Sequence, residues 1–127
     1  MVHTYGWYLR KFVADIRAKN ATPILCTLVP RNVWENGKIQ RPRGSHADWA
    51  REVAKEQHVD LIDLYELTAS RFDTLGQEAT TALYADKRVH TTAQGAEVDA
   101  ACVVEGLKLL SDDPVAPYFR DTPAKTW

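Results

Sequence analysis

The chain has 127 residues and a formal net charge of −1, with 16 basic against 17 acidic side chains and 45% hydrophobic residues. That is the size of one domain with a modest core. The near-neutral balance gives no electrostatic footprint for nucleic acid or an anionic membrane, and no apolar stretch reaches the length of a membrane span.

Residues 1–7 lack the basic region and apolar run of a signal peptide. A helix starts almost at once, as expected of a chain entered partway through a fold. Tyr5, Tyr8, Leu9, Phe12, Val13 and Ile16 recur at three and four, which predicts an amphipathic helix ending near Lys19-Asn20. Residues 23–29 are a continuous apolar run, expected to be a strand buried on both faces and stopped by Pro30. Residues 31–43 are polar, with Asn32, Asn36, Gly37, Pro42 and an exposed-looking Trp34, and read as a long loop.

Ser45 opens a second helix with Asp48 placed as its capping-box partner; Trp49, Ala50, Val53 and Ala54 form its apolar face. A short strand over 58–63 follows, then a helix carrying Leu64, Leu67, Thr68, Phe72 and Leu75 with Gly76 as its C-cap. A short helix is expected over 78–83. Thr91, with Gln94 as reciprocal cap, begins the last helix, whose buried stripe reads Ala96, Ala100, Val103, Leu107 and Leu110. From residue 112 to 127 the chain is an extended tail containing Pro114, Pro117 and Pro123.

This order implies parallel strands joined by a right-handed crossover, an α/β layer fold. Two strands are too few for such a sheet, so one edge should be bare, and the missing strands belong to a partner or to an N-terminal part that this chain lacks. Cys26 and Cys102 lie far apart in apolar runs with no Cys-x-x-Cys pair; two buried small hydrophobes are expected, and a disulfide between them stays open. His3, His46 and His58 show no ligand spacing, so no metal is expected.

The chemistry concentrates at Asp86 and His90. An imidazole in a loop just ahead of a helix, with a carboxylate within one turn to fix its tautomer, has the composition of a general base serving a nucleophile. A surface-loop histidine near a helix start is the other reading, and spacing alone leaves both standing. Asp63 ends a strand, where ligand crevices of parallel sheets open, but Asp63-Leu64-Tyr65-Glu66 also reads as a capping box, the preferred role. Only Ser45, Ser70 and Ser111 are available as internal nucleophiles. Ser45 caps a helix, Ser70 lies within one and Ser111 ends one; none sits on a sharp strand-to-helix turn.

Asp86-Lys87-Arg88-Val89-His90-Thr91-Thr92-Ala93-Gln94-Gly95-Ala96-Glu97 resembles the last sequence block of SGNH (GDSL-type) hydrolases, especially the rhamnogalacturonan acetylesterases, where D-x-x-H-T precedes a Gly-Ala-Glu helix start. Val29-Pro30-Arg31-Asn32-Val33-Trp34-Glu35-Asn36-Gly37 resembles the strand end and P-x-x-x-W-x-x-G loop of the same esterases. The resemblance runs from about residue 2 to residue 110 and departs in two places. Lys87 stands where the family has its aspartate, so Asp86 is one residue early: either a bulge absorbs the extra residue and leaves Asp86 as the orienting carboxylate, or Asp86 faces solvent and His90 has another partner or none. The Gly-Asp-Ser nucleophile block and the later glycine and asparagine blocks of the oxyanion hole are absent.

The resemblance implies a partial three-layer SGNH-hydrolase (flavodoxin-like) fold, a single incomplete domain over residues 1–127 whose N-terminal strands are missing. It implies a carbohydrate esterase acting on acetylated polysaccharide or oligosaccharide of the pectic type, with no cofactor. His90 would be its base and Asp86 the orienting group, with the nucleophilic serine outside this chain. Arg31 and Trp34 would line the sugar surface, although an aromatic anchoring the loop is the equal alternative for Trp34. The parent family is typically exported. The rival expectation is a non-catalytic α/β module that self-associates or binds a partner through its open sheet edge; a nucleotide binder is disfavoured because no Gly-rich phosphate loop follows either strand.

Overall fold

A computed structural model describes residues 1–120; the last part of the proline-containing tail, residues 121–127, lies outside the described residues. Helix α1 (Tyr5–Arg17) is capped by the Thr4 hydroxyl, which accepts from the Trp7 amide, and leads through a turn to strand β1 (Ile24–Cys26). Helix α2 (His46–Gln57) starts at the expected capping box, with Ser45 and Asp48 each accepting from the other's backbone N–H. Strand β4 (Asp60–Ile62) follows, then α3 (Leu64–Leu75), α4 (Gln77–Ala82) and α5 (Ala93–Lys108). Within the described part of the tail, Ala116–Tyr118 forms a 3-10 turn.

β1 and β4 pair in parallel, in the register Ile24↔Asp60, Leu25↔Leu61 and Cys26↔Ile62. The pairing makes a two-stranded sheet among the described residues, with α2 joining the strands as the crossover. Ala50, Val53 and Ala54 on the buried side of α2, and Cys102 of α5 packed with Ile62 and Leu64, form the core around it. A second cluster, Ile39, Ala69, Phe72, Tyr84 and Val98, fills the space between α3, α5 and the loops ahead of them. The arrangement is an α/β fold with parallel strands and flanking helices, consistent with a partial SGNH fold.

Four local expectations are corrected. The segment 31–43 holds a hairpin, β2 (Trp34–Glu35) against β3 (Lys38–Ile39), turning on Asn36 and Gly37, both at positive φ. Asn-Gly is the pair a two-residue hairpin turn favours, because both positions need φ > 0. The last helix is capped by Thr92, whose hydroxyl accepts from the Gly95 amide, while Thr91 pairs with Tyr84 in an isolated bridge. Its buried face is Gly95, Val98, Cys102 and Gly106, about one position off the expected stripe. A Cβ on Gly106 would lie 2.5 Å from Ile62 Cγ2, so glycine is what allows α5 to lie close on β4. Counting apolar side chains misses a face made partly of glycine.

The fourth concerns β1. It is half-covered rather than buried on both faces: Cys26 is exposed and Leu28 is 52% exposed, while Cys102 is buried, and both thiols are free. With β4 on one side, the other side of β1 pairs with no strand among the described residues. Helix α1 shows a similar deficit. Val13 is its buried residue, whereas Tyr8, Phe12 and Ile16, one helical turn apart in succession, are all at least 38% exposed. Trp49 of the expected α2 face is also exposed.

Candidate active site

In a parallel α/β layer, strand C-termini and the N-termini of the following helices share one edge, and ligand crevices open there. The loop between α4 and α5 is tied to the segment that leaves the C-terminal end of β1, through the Asn32 amide and the Arg88 carbonyl. It is closed at its base by the Tyr84–Thr91 bridge and by hydrogen bonds from the Ala85 amide to the His90 carbonyl (2.7 Å) and from the Thr92 amide to the Leu83 carbonyl (2.8 Å). Gly95 belongs to the same closure: a Cβ there would overlap the Leu83 carbonyl oxygen.

Within the loop, Asp86 organises everything. Its Oδ1 accepts from the backbone N–H groups of Arg88 (2.9 Å), Val89 (2.7 Å) and His90 (3.0 Å). Its Oδ2 lies 2.6 Å from His90 Nδ1. The amides of Val89 and Arg88, then the imidazole, hold the carboxyl well below the usual carboxylate range. Lys87, which the resemblance makes the residue extra to the family spacing, takes the left-handed conformation at φ 64°. Asp86 and His90 therefore meet through a local turn, one of the two outcomes the spacing left open.

The pair is open to solvent, with the His90 side chain 81% and the Asp86 side chain 41% exposed. No side chain among the described residues is hydrogen-bonded to His90 Nε2. Such an imidazole, held in one tautomer by its Nδ1 partner, can accept a proton at Nε2 from a hydroxyl brought to it. Ser45 caps α2, and the Ser70 hydroxyl donates to Glu66 Oε1 (3.0 Å), so both are committed elsewhere.

A second set of contacts joins this loop to the segment after β1. The Asn32 amide donates to the Arg88 carbonyl (2.9 Å), and Asn32 Nδ2 donates to the Lys87 carbonyl (2.8 Å) and to Thr81 Oγ1 (3.1 Å). Trp34 Nε1 in turn donates to Asn32 Oδ1 (2.7 Å), while its ring packs on the Phe72–Tyr84 cluster. Trp34 is thus partly buried, correcting its exposed look in the sequence: the ring anchors its hairpin and the indole N–H aims Asn32. The Tyr84 hydroxyl donates to the Pro30 carbonyl (2.8 Å) from beneath. The two motifs that carry the family resemblance are stitched together, with Asn32 the residue that sequence reading passed over.

Arg31 is exposed beside this seam and lines a cleft of about 430 Å³ together with Arg88. Asp63, the other acid at this edge, is the N-cap of α3. It is bound by Arg51 Nε (2.8 Å) and Nη2 (2.9 Å) and by the Thr27 hydroxyl (3.1 Å). Burial is the largest single influence and raises its pKa, but Arg51, the Glu66 amide and the Thr27 hydroxyl together leave it below the ordinary value. Glu66, expected to complete a capping box, pairs with Arg41 instead. Among the described residues no group of three His, Cys, Asp or Glu side chains could hold a metal ion, and no helix is long and apolar enough to cross a membrane.

No family model matches the chain. It is 32% identical over 112 residues to a probable rhamnogalacturonan acetylesterase, YesY, of Bacillus subtilis strain 168; the match covers 84% of this chain and 52% of that protein. It is 28% identical over 99 residues to the rhamnogalacturonan acetylesterase of Emericella nidulans, covering 78% of this chain and 40% of the relative. The fold superposes on the crystal structure of the Bacillus subtilis protein YxiM with a TM-score of 0.75 at 28% identity, over 81% of this chain and 30% of that one. The chain therefore spans about half the length, or less, of the proteins it matches.

Proposed function

Because the chain is rhamnogalacturonan acetylesterase-like, of the SGNH hydrolase type, over the part of its relatives that it spans, we propose that it carries the base half of a serine carbohydrate esterase. The substrate is an acetylated pectic polysaccharide or an oligosaccharide from it. The observation that supports this reading most is the 2.6 Å Asp86–His90 contact, with three loop amides fixing the carboxylate.

In this scheme a serine hydroxyl from outside the chain gives its proton to His90 Nε2 as its oxygen attacks the acetyl carbonyl carbon. Asp86 holds the imidazole in the required tautomer and stabilises the imidazolium. His90 then protonates the leaving sugar oxygen, freeing the sugar hydroxyl and an acetyl-serine. A water enters by the same route: His90 takes its proton, its oxygen attacks the acetyl carbon, and acetate leaves as the serine oxygen recovers the proton. Arg31 binds substrate beside the dyad, and Trp34 positions Asn32 and so the dyad loop.

The coding DNA upstream of codon 1 gives the first test. An in-frame Gly-Asp-Ser block is expected there; a stop codon close upstream with no such block opposes the scheme. The second test joins this chain to the first half of the Bacillus subtilis relative. A folded chimera should release acetate from acetylated rhamnogalacturonan and lose that activity with His90→Ala. A folded chimera without hydrolysis, or one indifferent to His90→Ala, refutes the proposal, as would turnover by the 127-residue chain alone that depends on His90.

The unpaired side of β1 and the uncovered Tyr8, Phe12 and Ile16 stripe favour one further reading, self-association of a non-catalytic module. A dimer in solution that Phe12→Asp converts to a folded monomer would support it; a monomer at all concentrations would exclude it.

A further inference from the structure

Resting on the esterase reading, we propose that Asp99 anchors the serine-bearing part of the enzyme: its Oδ1 accepts a backbone N–H from the end of a strand that lies parallel to β1 on its open side.

The place of that strand follows from the crossovers. α2 leads into β4, and α1 leads into β1 from beside α2, with Arg10 bonded to Glu56 and Tyr5 against Trp49. A right-handed crossover lays its helix over the two strands that it joins. β4 already holds one side of β1, so the strand that α1 serves runs parallel to β1 on the other side. The exposed Tyr8, Phe12 and Ile16 are the α1 side chains left to cover it.

The other wall of this position is α5. Glu105 pairs with Arg71 of α3, and Gly106 lies against Ile62 of β4, which together fix how α5 is turned. Asp99, Val103 and Leu107, one helical turn apart in succession, come next around the helix on the side away from α3. Val103 and Leu107 pack on the same Ile62–Leu64–Cys102 cluster as Ile24 and Val29. Asp99 is one to two turns nearer the dyad, by the C-terminal end of β1. Its charge reaches the Tyr84 hydroxyl, which donates to the Pro30 carbonyl (2.8 Å).

Asp99 is unsatisfied there. Its Oδ1 is buried with no hydrogen-bond partner among the described residues. A buried carboxylate without a donor is costly, and burial raises its pKa. The fold shows the remedy at another strand end. The amide of Ile39, the last residue of β3, donates to Asp73 Oδ1 on α3 (2.6 Å). The last amides of a strand leave the ladder and need an acceptor, and a carboxylate on a packed helix supplies one. Asp99 on α5 offers the open side of β1 what Asp73 gives β3. A backbone donor fits best, because every strand end carries one whatever its side chains.

A carbon-13 NMR titration of the Asp99 carboxyl tests the anchor without any hydrolysis. In the 127-residue chain it should titrate at about 6. In the folded chimera with the Bacillus half it should titrate at or below the ordinary aspartate value of about 3.9. Asp99→Val should raise the urea midpoint of the chain alone, by removing an unpaired buried carboxylate, and lower that of the chimera, by removing the acceptor. A carboxylate with no role in joining the parts would shift both midpoints in one direction. A carboxyl that titrates as high in the chimera as in the chain, or a valine variant that raises both midpoints, overturns the anchor. So does a Bacillus half that neither folds in the chimera nor slows exchange of the β1 amides when added as a separate chain. A chimera with Asp99 anchored but no hydrolysis refutes the esterase reading alone. A hydrolytic chimera that Asp99→Val stabilises refutes the anchor alone.

Discussion

Asp63 and Asp86 are the same residue type, one capping α3 and the other in the loop between α4 and α5, and the fold uses them in opposite ways. Asp63 is partly buried and its charge is neutralised from inside, by two nitrogens of Arg51 and the Thr27 hydroxyl. Asp86 is exposed, and three amides of its own loop hold one oxygen while the other meets His90. A guanidinium cancels a carboxylate and locks elements 12 residues apart in sequence. Neutral amides instead fix the orientation of a carboxylate and leave its charge acting on the imidazole. Of the two, only Asp86 has the geometry that the proposed scheme asks of an orienting carboxylate.

The sharpest way to break this contrast is to remove each charge in turn. In the chimera, Asp86→Asn should lower kcat by roughly a thousandfold or more, because an amide at that position favours the wrong imidazole tautomer. Its thermal midpoint should move little. Asp63→Ala should do the reverse, losing about 2–3 kcal/mol of stability as Arg51 is stripped of its main partner and α3 of its cap, with kcat changed far less in whatever remains folded. Urea unfolding alongside initial rates separates the two. If both variants lose stability and keep their rate, the distinction is wrong.

Much of this contrast is legible in the sequence itself. The D-x-x-x-H spacing with its small-residue helix start pointed to Asp86 and His90, and Ser45 with Asp48 gave the start of α2. Both are local patterns that close within one turn. The Arg51–Asp63 bond was hidden because it joins two elements, although the capping role of Asp63 was readable from its own neighbours. Asn32 was hidden for the same reason, since its partners at Lys87 and Thr81 come from far along the chain. The β2–β3 hairpin was missed despite Asn36-Gly37, because two-residue strands are too short to show alternation.

A pH titration sharpens the comparison further by adding a third acid. Asp63 and Asp86 both have lowered pKa values, so the stability each gives is present above the unfolded aspartate value of about 3.9 and is lost as pH falls below it. Asp99 behaves oppositely. Its Oδ1 is buried with no hydrogen-bond partner among the described residues, and burial pushes its pKa up to about 6. A raised carboxyl penalises the folded state above that value and relieves the penalty as pH falls from about 6 toward 4. Stability should therefore rise slightly from pH 8 to 5 and fall below about 4. Asp99→Asn should flatten the upper limb and stabilise the chain at pH 8 by on the order of 1–2 kcal/mol, read from urea midpoints.

The smallest expected effect bears on how the Asp86 loop is built. Lys87 is in the left-handed region at φ 64°, which costs a side-chain-bearing residue about 1 kcal/mol. By the resemblance to the acetylesterases, Lys87 is the residue inserted between the aspartate and the histidine. If it only accommodates the insertion, Lys87→Gly should stabilise the chain by up to about 1 kcal/mol, less what glycine loses in the unfolded state, and leave hydrolysis by the chimera unchanged. If instead a stiff Lys87 is needed to hold the three loop amides on Asp86, the same variant should gain nothing in stability and lose rate, because a looser turn lets the imidazole leave its aligned position. Deleting Lys87 separates the cases again: it restores the family spacing, and a loop kept only by its hydrogen bonds should then re-form with Asp86 three residues before the histidine.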